Sequence, residues 1–417
     1  MERALLNNDV LAVGKAFDED PSLVRGWRND MGYTAAHVAA MMKHWELVVL
    51  CLERGALIDA VAPEGGETVL LMAAISQNVE ALTILLHRGA STTMATVRGW
   101  TALMMSCTVE MADILLAHGA RVTLNYVSDD GKTAMHYALS MHHGELAIRY
   151  LEAGADPLLP DHDGMTPVEL GMRRGFATFV DKVMEAYAGV LKTWRNKRGK
   201  TLLMIAVVYG SVGMVEACID LGIDMDATDH RMETCVFQAV HTGSIEALRL
   251  LASRGADVTR ASSVGVTPLM LASCRGSHGD KAMEILLSTN KSNMDAVDIH
   301  FRTALHQAAS MNRERAIRLL LSAGASPAFV DDKGMLAKGL CSSVTCRRLI
   351  EEACREPERL RLIDEARTLC YGSGTQTRCE DHLLGVVLAY VAQDMSSDLY
   401  IELMAMLRPA WLSKPET

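Results

Sequence analysis

The 417-residue chain is 49% hydrophobic and 22% charged, the make-up of an ordinary folded globular protein. Its formal net charge of −10 argues against nonspecific binding to nucleic acid or to an anionic membrane surface. No apolar run approaches the roughly 20 residues of a membrane span, and Met1–Asp9 is too polar and acidic for a secretory leader.

The ten cysteines are scattered, with no CxxC and no paired framework. They read as small buried residues in a reducing compartment, which predicts an intracellular, cytoplasmic protein. Aromatics are scarce at 5%, whereas methionine is abundant at 26 residues.

In chain order, residues 1–30 read as an N-terminal capping helix pair. A repeat array then runs over 31–356. A threonine recurs at Thr34, Thr68, Thr101, Thr133, Thr166, Thr201, Thr234, Thr267 and Thr303. Two positions on, the residue is always apolar, from Ala36 to Leu305. Five positions on, it is always small: Ala39, Ala73, Ser106, Ala138, Gly171, Ala206, Ala239, Ala272 and Ala308. Close helix packing explains the small column, since a larger side chain would push neighbours apart. Each threonine is placed to cap a helix. Gly131–Asp156 shows the complete unit. Met135, Ala138 and Leu139 form one apolar helical face, His142–His143–Gly144 interrupts it, and a second helix ends at Gly154.

Pro167 and Pro268 fall at the first helical position, where a missing N–H costs little. Two irregularities stand out. The fifth unit loses its Gly–Ala ending and runs on from Val183 to Lys200, and the eighth carries the insertion Gly276–Ser277–His278–Gly279.

The 33-residue spacing, with Thr133–Ala134–Met135–His136–Tyr137–Ala138 and Thr303–Ala304–Leu305–His306–Gln307–Ala308 as the closest local matches, resembles the ankyrin repeat family. The resemblance implies an all-α ankyrin-repeat solenoid of about ten to eleven helix-pair repeats, joined by hairpin loops. It also implies that His37, His136 and His306 bond within their turns.

After Pro357 the pattern stops, and residues 357–417 read as a C-terminal helical region. Glu358–Leu369 and Asp398–Leu407 read as helices, and Leu383–Val391 is almost wholly apolar. A cap over the last repeats is the plain reading. The alternative is a docking box that would make the chain the substrate receptor of a ubiquitin ligase, although no box motif is present.

Nothing in the sequence assembles a nucleophile, a base and an oxyanion site, so no enzymatic activity is expected. Lys200–Thr201 lacks the upstream glycine of a phosphate loop, because Trp194 stands there. Cys341, Cys346, Cys354, Cys370, Cys379 and His382 have gaps that fit no zinc pattern, and no metal or cofactor is expected. The predicted activity is that of a non-catalytic scaffold or adaptor.

Arrays of this kind bind partners on the face made by inner helices and hairpin tips. The register puts the residue four after each threonine toward that face, from Val38, Met72, Met105, Tyr137 and Leu170 to Ile205, Gln238, Leu271 and Gln307. Tyr33, Met41, Met72, Trp100, Met105 and Tyr137 form the predicted site for an apolar or helical segment of another protein. A second candidate is the basic stretch around Trp194, with Arg195 and Arg198, and with Arg173 and Arg174 one inner helix away. An acidic segment suits it.

Overall fold

The computed structural model describes residues 1–289 and 294–355. The expected helices at 358–369 and 398–407, the apolar 383–391 stretch, Cys370, Cys379 and His382 lie outside the described residues. Two compact units are present, one spanning Met1–Ile299 and a second from His300 onward. The boundary falls within the 31–356 span that the sequence reads as one array.

The first unit opens with Glu2–Leu6, Val10–Glu19 and Leu23–Gly26. Helix pairs follow, an inner and an outer helix in each repeat, beginning with Ala35–Met41 and Trp45–Glu53 and continuing with Val69–Ile75 and Val79–His87. Among the described residues there are helices and isolated bridges but no strands.

All nine repeat threonines are N-caps. In six of them the hydroxyl accepts the backbone N–H three residues on, as Thr34 does from His37 and Thr234 from Phe237. At Thr133 and Thr303 the hydroxyl meets the ring Nδ1 of His136 and His306 at 3.0 and 2.9 Å, and the buried Thr101 hydroxyl has no hydrogen-bond partner among the described residues. The small column packs as its residue types require. Ala39, Ala73, Ala206, Ala239 and Ala272 are fully buried. A Cβ on Gly171 would stand 2.7 Å from the Phe179 ring. Successive inner helices of the first unit pack side by side from Ala35–Met41 to Pro268–Ser273.

Histidines lock the repeats together. The Thr133 N–H donates to His136 Nδ1 at 3.1 Å, so the ring proton sits on Nε2 and donates to the Met165 carbonyl at 3.0 Å in the next hairpin. His37 reaches Glu67 in the same way at 3.1 Å, and in the second unit His306 reaches Met335 at 3.2 Å. Burial lowers the pKa of all three against the opposing pull of those carbonyls.

The hairpin tips form a ladder of backbone bonds: Val97 N–H to Gly65, Asp129 to Arg98, His162 to Asp130, His230 to Arg198 and Ser263 to Arg231. The rung between the 161–164 and 196–199 turns is absent among the described residues. That gap coincides with the irregular fifth unit, where the outer helix Ala177–Ala186 is followed by an extra turn, Ala188–Leu191. The eighth-unit insertion is absorbed at the start of a long outer helix, Ser277–Thr289.

Candidate partner-binding face

The position four residues after the threonine behaves differently along the first unit. Met72, Met105, Tyr137 and Leu170 are half-buried and form a row on four consecutive inner helices. Val38, Ile205 and Gln238 occupy the same register but are buried, Ile205 at 2% exposure, so the expectation that they face a partner is corrected. At Gln238 the covering groups are visible. Lys200 Nζ donates to its Oε1 at 3.2 Å, and its own amide nitrogen Nε2 donates to Glu233 at 2.6 Å. The unbroken accessible row therefore runs from the second to the fifth repeat, with Leu271 half-buried again beyond the two covered positions.

At the far end of these helices stand exposed apolar residues: Met41 at 51%, Ile75 at 51% and Met141 at 64% exposure. Tyr33 is buried at 9%, so its ring contributes little open surface and packs edge-on against His37. Trp100 is half-buried and meets Tyr137 edge to face, with ring centroids 6.0 Å apart. The Tyr137 hydroxyl donates to Asp130 at 3.0 Å or Ser128 at 3.1 Å, and Lys132 holds the same carboxylate at 2.6 Å. Partial burial pushes the Asp130 carboxyl up, but the bonds from Lys132, Ser128 and Tyr137 outweigh it and hold its pKa well below the usual range. Tyr137 is thus held in one orientation by its own repeat. This polar clamp is not readable from the repeat register, because Asp130 and Lys132 look like ordinary hairpin charges.

The basic candidates separate into two groups. Trp194, Arg195 and Arg198 lie at the 196–199 turn, with Trp194 half-buried and both arginines exposed. Arg195 donates to the carbonyls of Gly199 and Thr228 at 3.0 and 3.1 Å. Arg173 and Arg174 end the helix Pro167–Arg174, about 12 Å from its start by the rise of an eight-residue helix. Arg174 lies against His142 at 3.1 Å. One further cation joins the turn group: Arg231, exposed and in register with Arg198 one repeat on. Its spacing of one repeat period is the signal that marks it.

Matches to family profiles described as ankyrin repeats cover residues 92–161, 172–262 and 259–331, more than half of the chain, and a further one covers 36–86. The chain belongs to the ankyrin repeat family. Among known proteins it is similar to NF-kappa-B inhibitor alpha of Homo sapiens, 32% identical over 111 residues, which is 25% of this chain and 35% of that protein. It is also similar to the human neurogenic locus notch homolog protein 2, 29% identical over 187 residues, covering 41% of this chain and 7% of that protein. Human inversin is 27% identical over 147 residues, covering 35% and 14% respectively. The matched segments thus span about a third or less of each relative's length. No helix among the described ankyrin residues is long and apolar enough to cross a membrane.

Proposed function

We propose that this ankyrin-repeat chain is a non-catalytic scaffold or adaptor that holds an apolar or helical segment of another protein on the inner-helix face of repeats two to five. The observation that carries the reading is the half-buried row Met72, Met105, Tyr137 and Leu170, with exposed Ile75 and Met141 beside it. Covering a methionine completes its burial, and full burial of such a side chain is worth about 1.5–3 kcal/mol. Methionine also adapts its shape to a partner's side chains. The similarity to NF-kappa-B inhibitor alpha, which by its name acts on another protein, supports the reading.

Affinity purification from the native cell, with the wild type beside a Met72→Glu/Met105→Glu variant of unchanged circular dichroism, tests it. The reading expects at least one stoichiometric partner lost from the variant. An identical partner set would overturn it. The ubiquitin-ligase alternative rests on residues 357–417, and no described residue supports it. A cullin that co-purifies with the full chain and disappears on deletion of 358–417 would favour it.

A further inference from the structure

The outer and turn faces of the first unit treat their cations differently. On the outer helices, cations pair with carboxylates of the neighbouring repeat: Arg54 with Asp18, Arg88 with Glu53, Arg149 with Asp113, Lys182 with Glu152, and Arg254 with both Glu216 and Asp220. At the hairpin turns 196–199 and 229–232 the pattern reverses. Among the described residues, Arg195, Lys197, Arg198, Lys200 and Arg231 have no carboxylate in salt-bridge range.

Where their side chains are held, neutral groups hold them. Arg195 is on backbone carbonyls, Lys197 Nζ is 3.3 Å from the Asp161 carbonyl, and Lys200 is on the Gln238 amide. Most acidic residues of these turns, of the preceding 161–164 turn and of their flanks are held by hydrogen bonds. Asp161 is buried and accepts the Met165 N–H, and Asp229 is buried and accepts the Arg231 and Glu233 N–H groups. Glu169 is buried on Thr166 and Asn196, and Glu233 holds Gln238. Asp163 is the exposed exception. A chain of net charge −10 therefore presents exposed cations at one place, while most of the neighbouring carboxylates are held inward. That place lies immediately beyond the end of the apolar row, where Ile205 and Gln238 close it.

We propose that these turns receive an acidic stretch of the same polypeptide whose apolar part lies on the row from Met72 to Leu170. The proposal rests on the binding reading above and adds the chemistry and order of the partner segment. Inner helices pack about 10 Å apart, so the row over four repeats is about 30 Å long. An extended segment advances about 3.3 Å per residue, which sets its apolar part at about nine residues. The cationic turns begin one repeat further, so the Asp and Glu residues, or phosphorylated side chains, follow within about three to six residues. A short acidic run gains the local attraction, whereas a long polyanion meets the negative field of the rest of the chain. That contrast favours a peptide over nucleic acid.

The test is a phage-displayed library of linear peptides of about 16 residues, selected at low salt on the full chain. Parallel selections use Arg198→Glu/Arg231→Glu and Met72→Glu/Met105→Glu. Among the described residues the side chains of Arg198 and Arg231 make no hydrogen bond, so their reversal is expected to leave the fold intact. The expected result is a wild-type pool with apolar positions flanked on one side by Asp and Glu. Individual peptides from it bind Arg198→Glu/Arg231→Glu about tenfold more weakly, an effect that fades with added salt. Phosphoserine placed at the acidic positions of a selected peptide preserves or strengthens binding.

An apolar pool without acidic enrichment, or acidic peptides indifferent to charge reversal, would overturn the inference and leave the binding face standing. Peptides indifferent to Met72→Glu/Met105→Glu would overturn the binding face and the inference together. A single-stranded DNA oligonucleotide that bound the wild type more tightly than the acidic peptides, and was lost on charge reversal, would reassign the turns to nucleic acid and overturn the inference.

Discussion

The Tyr150 hydroxyl donates to the Leu103 carbonyl at 2.7 Å, across 47 positions and from the outer helix of one repeat to the inner helix of the previous one. Ser106 Oγ lies 2.6 Å from the same phenol oxygen and can donate to it. The third inner helix, Ala102–Met105, is only four residues long, and its threonine-to-threonine spacing is one residue short of 33. The fully buried Tyr150 fills the space and satisfies the groups that the lost turn exposes. Burial, offset in part by the Ser106 bond, raises its pKa far above the physiological range, so the proton stays in place. Tyr150→Phe is expected to cost about 1–2 kcal/mol through unsatisfied buried groups, and Tyr150→Ala about 3–5 kcal/mol through the added cavity. Urea denaturation followed by circular dichroism measures both.

Acid should loosen the stack before carboxylates are protonated. His37, His136 and His306 all have folded pKa values below 6.5, with desolvation by burial as the leading cause. Between those depressed values and 6.5 the unfolded chain binds more protons than the folded one. Stability therefore falls as pH drops through this window and is fully present above it. Calorimetry should show a lower Tm at about pH 5.5 than at about pH 7.5. His136→Gln should make the slope shallower, whatever it costs at neutral pH.

Two glycines with the same backbone sign should respond differently to alanine. Gly255 has φ +87° and open space around a new Cβ, so Gly255→Ala carries only left-handed strain of about 1 kcal/mol. Gly265 has φ +75°, and its Cβ would stand 2.9 Å from the Asp298 backbone of the next hairpin. Gly265→Ala should cost clearly more, about 2–3 kcal/mol, once displacement of that hairpin is added. Denaturant midpoints of the two variants decide the order.

The threonine register was legible because a helix start is a local event. A hydroxyl, a small residue five places on and an apolar one between them specify it without reference to the rest of the chain. The inward packing of the small column was legible for the same reason. The open inner-helix row was legible only in part. Met72 and Val38 hold equivalent positions, yet one is half-open and the other covered. The closure at Gln238 depends on Lys200 and Glu233 reaching over it, which no periodicity reports. Arg173 and Arg174 read as one inner helix away from Arg198, and they do end the helix Pro167–Arg174, a helix length from the turn. Tyr150 meets Leu103 only through the fold.

Met72→Glu or Met105→Glu should each weaken partner binding about tenfold to a hundredfold, the value of one buried methionine. Because both side chains are half-exposed in the free protein, Tm should change by only a few degrees. Titration of the identified partner into each variant, beside its thermal melt, separates the two effects.

On the proposed function the inner helices, and not the outer ones, meet the partner. Site-specific photo-crosslinking in the native cell tests it most directly, with benzoylphenylalanine placed singly at Met72, at Met105 and at the exposed outer-helix residue Arg249. A discrete crosslinked product is expected from Met72 and Met105 and none from Arg249. A product from Arg249 alone would contradict it.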